Sequence, residues 1–222
     1  MITLDILSDP ICPWCYIGKV QLDRALEARS DRPVVLAWHP FQLNPDMPRD
    51  GMDRREYLET KFGGKRQAVE VYGRIAEAAK AAALELDFGA IKRTPNTLDA
   101  HRLIQWAGIE GAQTRVVAAL FAAYFKEGRD IGNAEVLADI ADACGMDAAM
   151  VLRLLATDAE VDDIRARDAH SREMGVTGVP TFIIANQHAV PGAQPTELWT
   201  KVLDELAAQS EVEADPTPEP EQ

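Results

Sequence analysis

Long apolar runs are missing from this chain: nowhere in its 222 residues is there a stretch able to cross a bilayer as a helix. The opening residues, Met1-Ile2-Thr3-Leu4-Asp5-Ile6-Leu7, already read as a strand, with no basic segment or apolar core of the kind a secretion signal requires. A cytoplasmic location is therefore expected. Positive charge is also in short supply, with 23 Lys and Arg against 36 Asp and Glu and a net charge of −13. Such a surface repels nucleic acid and anionic membrane, so neither is expected as a partner. Cysteine and histidine are scarcer still, at three and four residues. With no second cysteine pair and only scattered histidines, neither a zinc site nor a disulfide framework is expected. No internal repeat occurs.

Two of the three cysteines nevertheless stand together. In Ser8-Asp9-Pro10-Ile11-Cys12-Pro13-Trp14-Cys15-Tyr16-Ile17-Gly18 a Cys-x-x-Cys pair follows an apolar strand and opens a helix. Thiolate rather than thiol attacks a disulfide, and a helix N-terminus stabilises thiolate through unpaired N–H groups and the positive end of its dipole. Cys12 is thus the candidate nucleophile. Cys15, one turn on, lies on the same side, within reach to close a disulfide with Cys12 or to resolve a mixed one. Pro13 suits a first helical turn, where its missing N–H costs nothing. Pro13 and Trp14 are expected to tune the pair, and Trp14 offers an apolar contact to substrate.

The rest of the chain sets this motif in an α/β pattern. Ile2 to Leu7 alternates as strand one, Cys12 to Ala28 is an amphipathic helix, and Val34 to Phe41 is strand two, a unit expected to pair in parallel. The proline-rich segment from Asn44 to Gly51 reads as a loop. From Arg54 to Met174 every recognisable segment is helical, notably Gln67–Leu86, Leu98–Ala107 and Arg115–Phe125, with Asn133 and Asp147 as N-caps and Gly145 and Gly175 as stops. Thr181–Ala185 and His188–Val190 then form a strand pair about Asn186-Gln187, and Thr196–Ala207 a closing helix. Beyond Ser210 the Glu- and Pro-rich composition reads as a disordered tail. Gly175-Val176-Thr177-Gly178-Val179-Pro180-Thr181-Phe182 is a Gly-rich turn leading through Val179-Pro180 into the late strand. An X–Pro bond is cis only about 5–6% of the time, so these residues alone leave its isomer open.

Cys12-Pro13-Trp14-Cys15-Tyr16-Ile17-Gly18, Trp38-His39-Pro40-Phe41-Gln42-Leu43-Asn44-Pro45, Thr94-Pro95-Asn96-Thr97, Ala100-His101-Arg102-Leu103 and Gly175-Val176-Thr177-Gly178-Val179-Pro180-Thr181-Phe182 together resemble, in order and spacing, the DsbA family of thiol-disulfide oxidoreductases, specifically its FrnE-like branch. The resemblance implies a thioredoxin fold with a large all-helical insertion between strand two and the cis-proline strand. Residues 1–45 and 175–209 would supply the two parts of that fold, 46–174 the insertion, and 210–222 an acidic tail. It also implies that Pro180 is cis beside the dithiol and that Val179 offers backbone groups to an extended substrate. Cys12 and Cys15 would exchange disulfides with a disulfide- or thiol-bearing protein or small molecule. No metal or cofactor is implied. Glutathione stays open as a co-substrate, and a homodimer stays open as an assembly.

Two other function classes compete. The same architecture occurs in kappa-class glutathione transferases and 2-hydroxychromene-2-carboxylate isomerases, which carry serine at the position of Cys12 and an Asp-Arg pair for the γ-glutamyl end of glutathione. Here Gln194 and Pro195 stand at that pair, and an uncharged amide holds a zwitterion more weakly. A peptide-binding chaperone would leave the dithiol unexplained. Magnitude bears on the direction of exchange: a pair at about −120 mV in a cytosol near about −250 mV would be held reduced by about four powers of ten, whereas one nearer about −200 to −270 mV would serve as a reductase, an isomerase or a stress-responsive oxidant. Among the remaining reactive residues, Cys144 falls on a helix face with Leu137, Ile140 and Ala141 and is expected to be buried packing. His39 is expected to pack in the core or at the sheet edge rather than act near the dithiol, and His101 either to face the active-site cleft or to bond at a helix surface.

Overall fold

A computed structural model of the protein describes residues 2–31 and 34–214. Strand β1 (Ile2–Ser8), helix α1 (Pro13–Ala28) and strand β2 (Val34–Pro40) form the expected unit. β1 and β2 are parallel, in register from Ile2↔Val34 to Ser8↔Pro40, as a crossover helix between them permits. The chain returns to this sheet as β5 (Thr181–Ile184) and β6 (His188–Pro191), giving the order β2-β1-β5-β6 with β5 antiparallel to β1. The β5–β6 turn places Ala185 and Asn186 at positive φ, the geometry that matches the twist of a tight hairpin. β1 is paired on both edges, so the loop leaving its C-terminal end is held by the middle of the sheet.

Between β2 and β5 lie α2 (Arg54–Phe62), α3 (Lys65–Ala81), α4 (Leu98–Ile109), α5 (Gln113–Phe125), α6 (Ala134–Ala143), α7 (Ala148–Leu155) and α8 (Val161–Glu173). Asn133 and Asp147 cap their helices as expected, the first accepting from the N–H groups of Glu135 and Val136, the second from that of Met150. The insertion is not wholly helical, however. β3 (Met52–Asp53) and β4 (Arg93–Thr94) make a two-residue antiparallel pair, too short for alternation to betray. Gly51 permits it: its φ is +69°, and a Cβ there would stand 2.5 Å from the Thr94 carbonyl oxygen. Helix α3 stops at Ala81 rather than Leu86, through Ala83 at φ 44°, a break that no glycine or proline announces.

The last helix, α9 (Thr196–Ala214), outruns its expected end at Ala207. Residues from Leu206 to Ala214 are mostly sound helix formers, and no proline intervenes before Pro216. The first part of the expected acidic tail is therefore helix, and its remainder, 215–222, lies outside the described residues.

Aromatic contacts join the insertion to the thioredoxin-like layer. Tyr16, on the helix that carries the cysteines, stacks on Phe121 of α5 at 4.9 Å between ring centroids and 7° between planes. Within the layer itself Phe182 of β5 meets Trp199 of α9 at 4.6 Å. Gln113, at the start of α5, bonds both the N–H (2.9 Å) and the carbonyl (3.1 Å) of Trp38 and so covers part of the open edge of β2. Phe121 is fully buried. Phe121→Ala should cost about 3–5 kcal/mol in chemical denaturation, whereas Ile109→Ala, at a side chain 79% exposed, should change stability by less than about 0.5 kcal/mol.

Candidate active site

The β1–α1 loop delivers Cys12 to the N-cap of α1, with extended backbone (φ −88°, ψ 113°). Its N–H donates to the Asp9 carbonyl at 2.9 Å, and its own carbonyl accepts from Cys15 at 3.1 Å and Tyr16 at 3.3 Å, so the first turn closes on Cys12. Cys12 and Cys15 are both free thiols, and both are buried. Cys12 Sγ lies 3.6 Å from the Val179 carbonyl oxygen, and the Val179–Pro180 bond is cis, as the resemblance implies. The Pro180 ring packs on α1 at Gly18, where an added Cβ would lie 3.2 Å from it. The structure therefore brings Cys12, Cys15, Val179 and Pro180 together. Pro13 is buried in the first turn, so of the two intervening residues it is Trp14, 38% exposed, that presents a surface.

Burial pushes the Cys15 thiol up, and its hydrogen bond to Cys12 and the proximity of that sulfur push it further, against weaker opposing contacts from the Ser8 hydroxyl and the Asp9 backbone. Cys15 is thus held as a thiol that donates to Cys12.

Under the dithiol lies a polar cluster that sequence reasoning did not assemble. Asp9, fully buried, accepts from the N–H of Leu43 at 2.7 Å and of Ile11 at 3.3 Å. Burial raises its carboxyl to about 7, the bonds from Leu43, Ile11 and Thr97 acting against that rise and the negative charge of Asp168 adding to it. His101 Nε2 stands 3.9 Å from the Asp9 carboxylate with no hydrogen-bond partner among the described residues. Burial lowers His101 to about 4, with Asp168 opposing the shift and Arg167 adding to it. Asp168 in turn accepts from the N–H of Gln42 at 2.7 Å and from Arg172 at 3.0 Å. Arg172 also bonds the Gln42 carbonyl and lies over the Phe41 ring at 4.1 Å. The Gln42 amide reaches Asn96 at 3.3 Å and Thr97 at 3.4 Å. Gln42, Thr97 and His101 fall within the segments that carry the family resemblance, which is the signal that could have found them, whereas Asp9 lies three residues before the first of those segments. Asp168 sits on a polar helix among other acids and has no local signal.

Of three other singled-out residues, His39 lies at the sheet edge as expected, whereas His101 and Cys144 lie elsewhere than expected. His101 is not at a helix surface: α4 packs against β2, α5 and α8, leaving the side chain 2% exposed. His39 is half-buried on the edge strand, bonded to Asp5 at 2.7 Å and Arg167 at 3.0 Å rather than to either cysteine. Cys144 follows α6 as its C-cap and is only partly buried against the core, because the helix ends one residue before it. The Gln194 amide donates to the Pro191 carbonyl of its own turn at 2.7 Å. Among the described residues no group of three or more side chains could hold a metal ion.

The sequence model of the DSBA-like thioredoxin domain matches residues 3–204. The chain belongs to that family. It is 30% identical to a probable DsbA oxidoreductase from Streptomyces coelicolor, whose crystal structure agrees with a TM-score of 0.83 over 94% of this chain and 91% of that one. It is 26% identical over 203 residues to the uncharacterized protein YwbO of Bacillus subtilis, covering 91% of this chain and 96% of the relative. A 2-hydroxychromene-2-carboxylate isomerase shares the fold at 15% identity, with a TM-score of 0.72 over 94% of this chain and 98% of that one. The thioredoxin-like fold with a helical insertion after β2 is thus the family's own, and Cys12 and Cys15 lie within the matched residues.

The buried Asp9–His101 pair makes stability depend on pH in two opposed ways. Asp9, raised from 3.8 to about 7, keeps its proton in the folded state where the unfolded chain has lost it, so its contribution falls as pH rises through that interval. His101, lowered from 6.5 to about 4, sheds its proton early on folding, so its contribution rises over nearly the same interval. The two largely cancel in the native protein. His101→Gln should therefore make stability fall between pH 4 and 7, and Asp9→Asn should make it rise between pH 4 and 6.5. Urea midpoints measured across that range check both signs.

Proposed function

We propose that the protein is a thiol-disulfide oxidoreductase of the FrnE-like branch of the DsbA family, working in the cytoplasm. The observation that carries this reading is the asymmetry of the dithiol: Cys12 at the N-cap of α1 with its sulfur 3.6 Å from the Val179 carbonyl, and Cys15 behind it with its thiol pushed up by burial. Cys12, as thiolate, attacks a substrate disulfide, forming a Cys12–substrate disulfide and releasing one substrate thiolate. Cys15 then loses its proton and attacks the Cys12 sulfur. The Cys12–Cys15 disulfide forms, the second substrate thiolate leaves, and the substrate has gained two electrons.

The same steps in reverse oxidise a dithiol. Val179 offers its backbone and Trp14 its exposed face to the substrate segment, with Pro13 and Pro180 shaping the surface between them. The substrate is a disulfide- or thiol-bearing protein or small molecule, a class that includes glutathione. Nucleic acid and anionic membrane are poor partners for a chain of net charge −13. Among the described residues no helix is long and apolar enough to cross a membrane.

Iodoacetamide at neutral pH should alkylate Cys12 before Cys15 or Cys144 in the reduced protein, as read by peptide mass mapping. Cys15→Ser should accumulate a mixed disulfide with glutathione on Cys12, and Cys12→Ser should accumulate none. Full turnover of a protein disulfide by both variants would exclude exchange through this pair.

A further inference from the structure

A second recess lies within the helical insertion. It is a cavity of about 500 Å³ formed by α2, α3 and the segment leading to β4, in the size range of small-molecule sites. Leu58, Val69, Phe88 and Ile91 make its lining largely apolar. Arg54, which also lines it, is only 6% exposed.

The surroundings of Arg54 are unusual for a buried cation. Its guanidinium donates to the Tyr124 hydroxyl at 2.9 Å and the Tyr72 hydroxyl at 2.8 Å, and lies over both rings. No carboxylate pairs with it among the described residues. The acids of the lining are engaged elsewhere, Asp53 on the N–H groups of Arg55 and Glu56 and Glu59 on the Arg55 side chain at 2.9 Å. Burial pushes the hydroxyls of Tyr72 and Tyr124 up, so both stay neutral and supply no negative charge. Buried charges are ordinarily paired, because removal from water is not repaid by neutral partners alone. Of the five guanidinium N–H groups, the two phenols occupy two. The remainder suffice for a carboxylate, which takes two in parallel. Lys65 and Lys92 in the lining add the same sign of charge.

We infer that this cavity binds a small amphipathic carboxylate, its anionic end on Arg54 and its apolar body along Leu58, Val69, Phe88 and Ile91. An inorganic anion would leave the apolar wall uncovered, and a neutral apolar molecule would leave Arg54 uncompensated. The site is independent of the dithiol reading, although Tyr72 lies close enough to the Cys12 sulfur to feel its charge.

The full chain, reduced, is titrated by calorimetry with 4-phenylbutyrate and with 4-phenylbutanol, which share the apolar body and differ in charge. The carboxylate should bind at least about tenfold more tightly than the alcohol. Arg54→Met should remove that preference while leaving the affinity for the alcohol unchanged. Because Arg54 is buried, Val69→Glu, at a side chain 63% exposed on the same lining, serves as the second variant and should weaken the carboxylate selectively. Equal binding of the two probes, no saturable binding up to about 10 mM, or an unchanged carboxylate preference in Val69→Glu would each overturn the assignment. If Arg54→Met lacks a cooperative melting transition, the Val69→Glu comparison decides alone.

Discussion

The burial of one carboxyl group, that of Asp9, holds the geometry of the dithiol. The loop between β1 and α1 must turn sharply to set Cys12 at a helix start, and a sharp turn exposes backbone N–H groups that need acceptors. Asp9 meets that need from inside, bonding Ile11 in its own loop and Leu43 where the chain leaves β2. The two C-terminal ends of the parallel strands are thereby tied together beneath the cysteines. Burial this complete favours the neutral acid, and the neutral His101 beside it avoids placing a second unpaired charge in the same space. A loop fixed by backbone bonds to a buried acid keeps its shape through successive rounds of disulfide exchange, as a site built on rigid elements must.

The same cluster docks the insertion on the sheet. Asp168 and Arg172 of α8 clamp the Gln42 backbone, and the Gln42 amide reaches Asn96 and Thr97 at the start of α4. Three stretches remote in sequence thus converge within bonding distance of one another below Cys12. Arg172 is a cation paired with a carboxylate and laid over Phe41, the usual way for a protein to hold a charge away from water. Among the described residues Arg54 is held by neutral phenols alone, and that contrast sets the recess in the insertion apart from the polar cluster.

Much of the architecture could be read before the structure, because it depends on local patterns. Alternation marked β1 and β2, side-chain caps marked α6 and α7, and the Cys-x-x-Cys spacing at a helix start marked the dithiol. The errors share a cause. The β3–β4 pair is two residues per strand and is held by cross-chain bonding that no short window contains. Helix α3 ends at an alanine in a left-handed conformation, where composition predicts continuation. Helix α9 runs on through residues whose charge suggested a tail, although their helix propensity is good.

By itself, then, the sequence determined the strand–helix–strand unit, the late strand pair, the placing of two cysteines at Cys-x-x-Cys spacing on a helix start, and the family, since each is written in residue type and spacing along the chain. Only the tertiary structure decided the surroundings of those residues. That His101 turns inward to Asp9, that His39 bonds at the sheet edge, that Cys15 is the thiol burial pushes up, and that Arg54 meets phenols and no carboxylate among the described residues all depend on what is packed around a side chain. Desolvation and pairing are properties of neighbours brought together from distant parts of the chain, and local pattern carries no record of them.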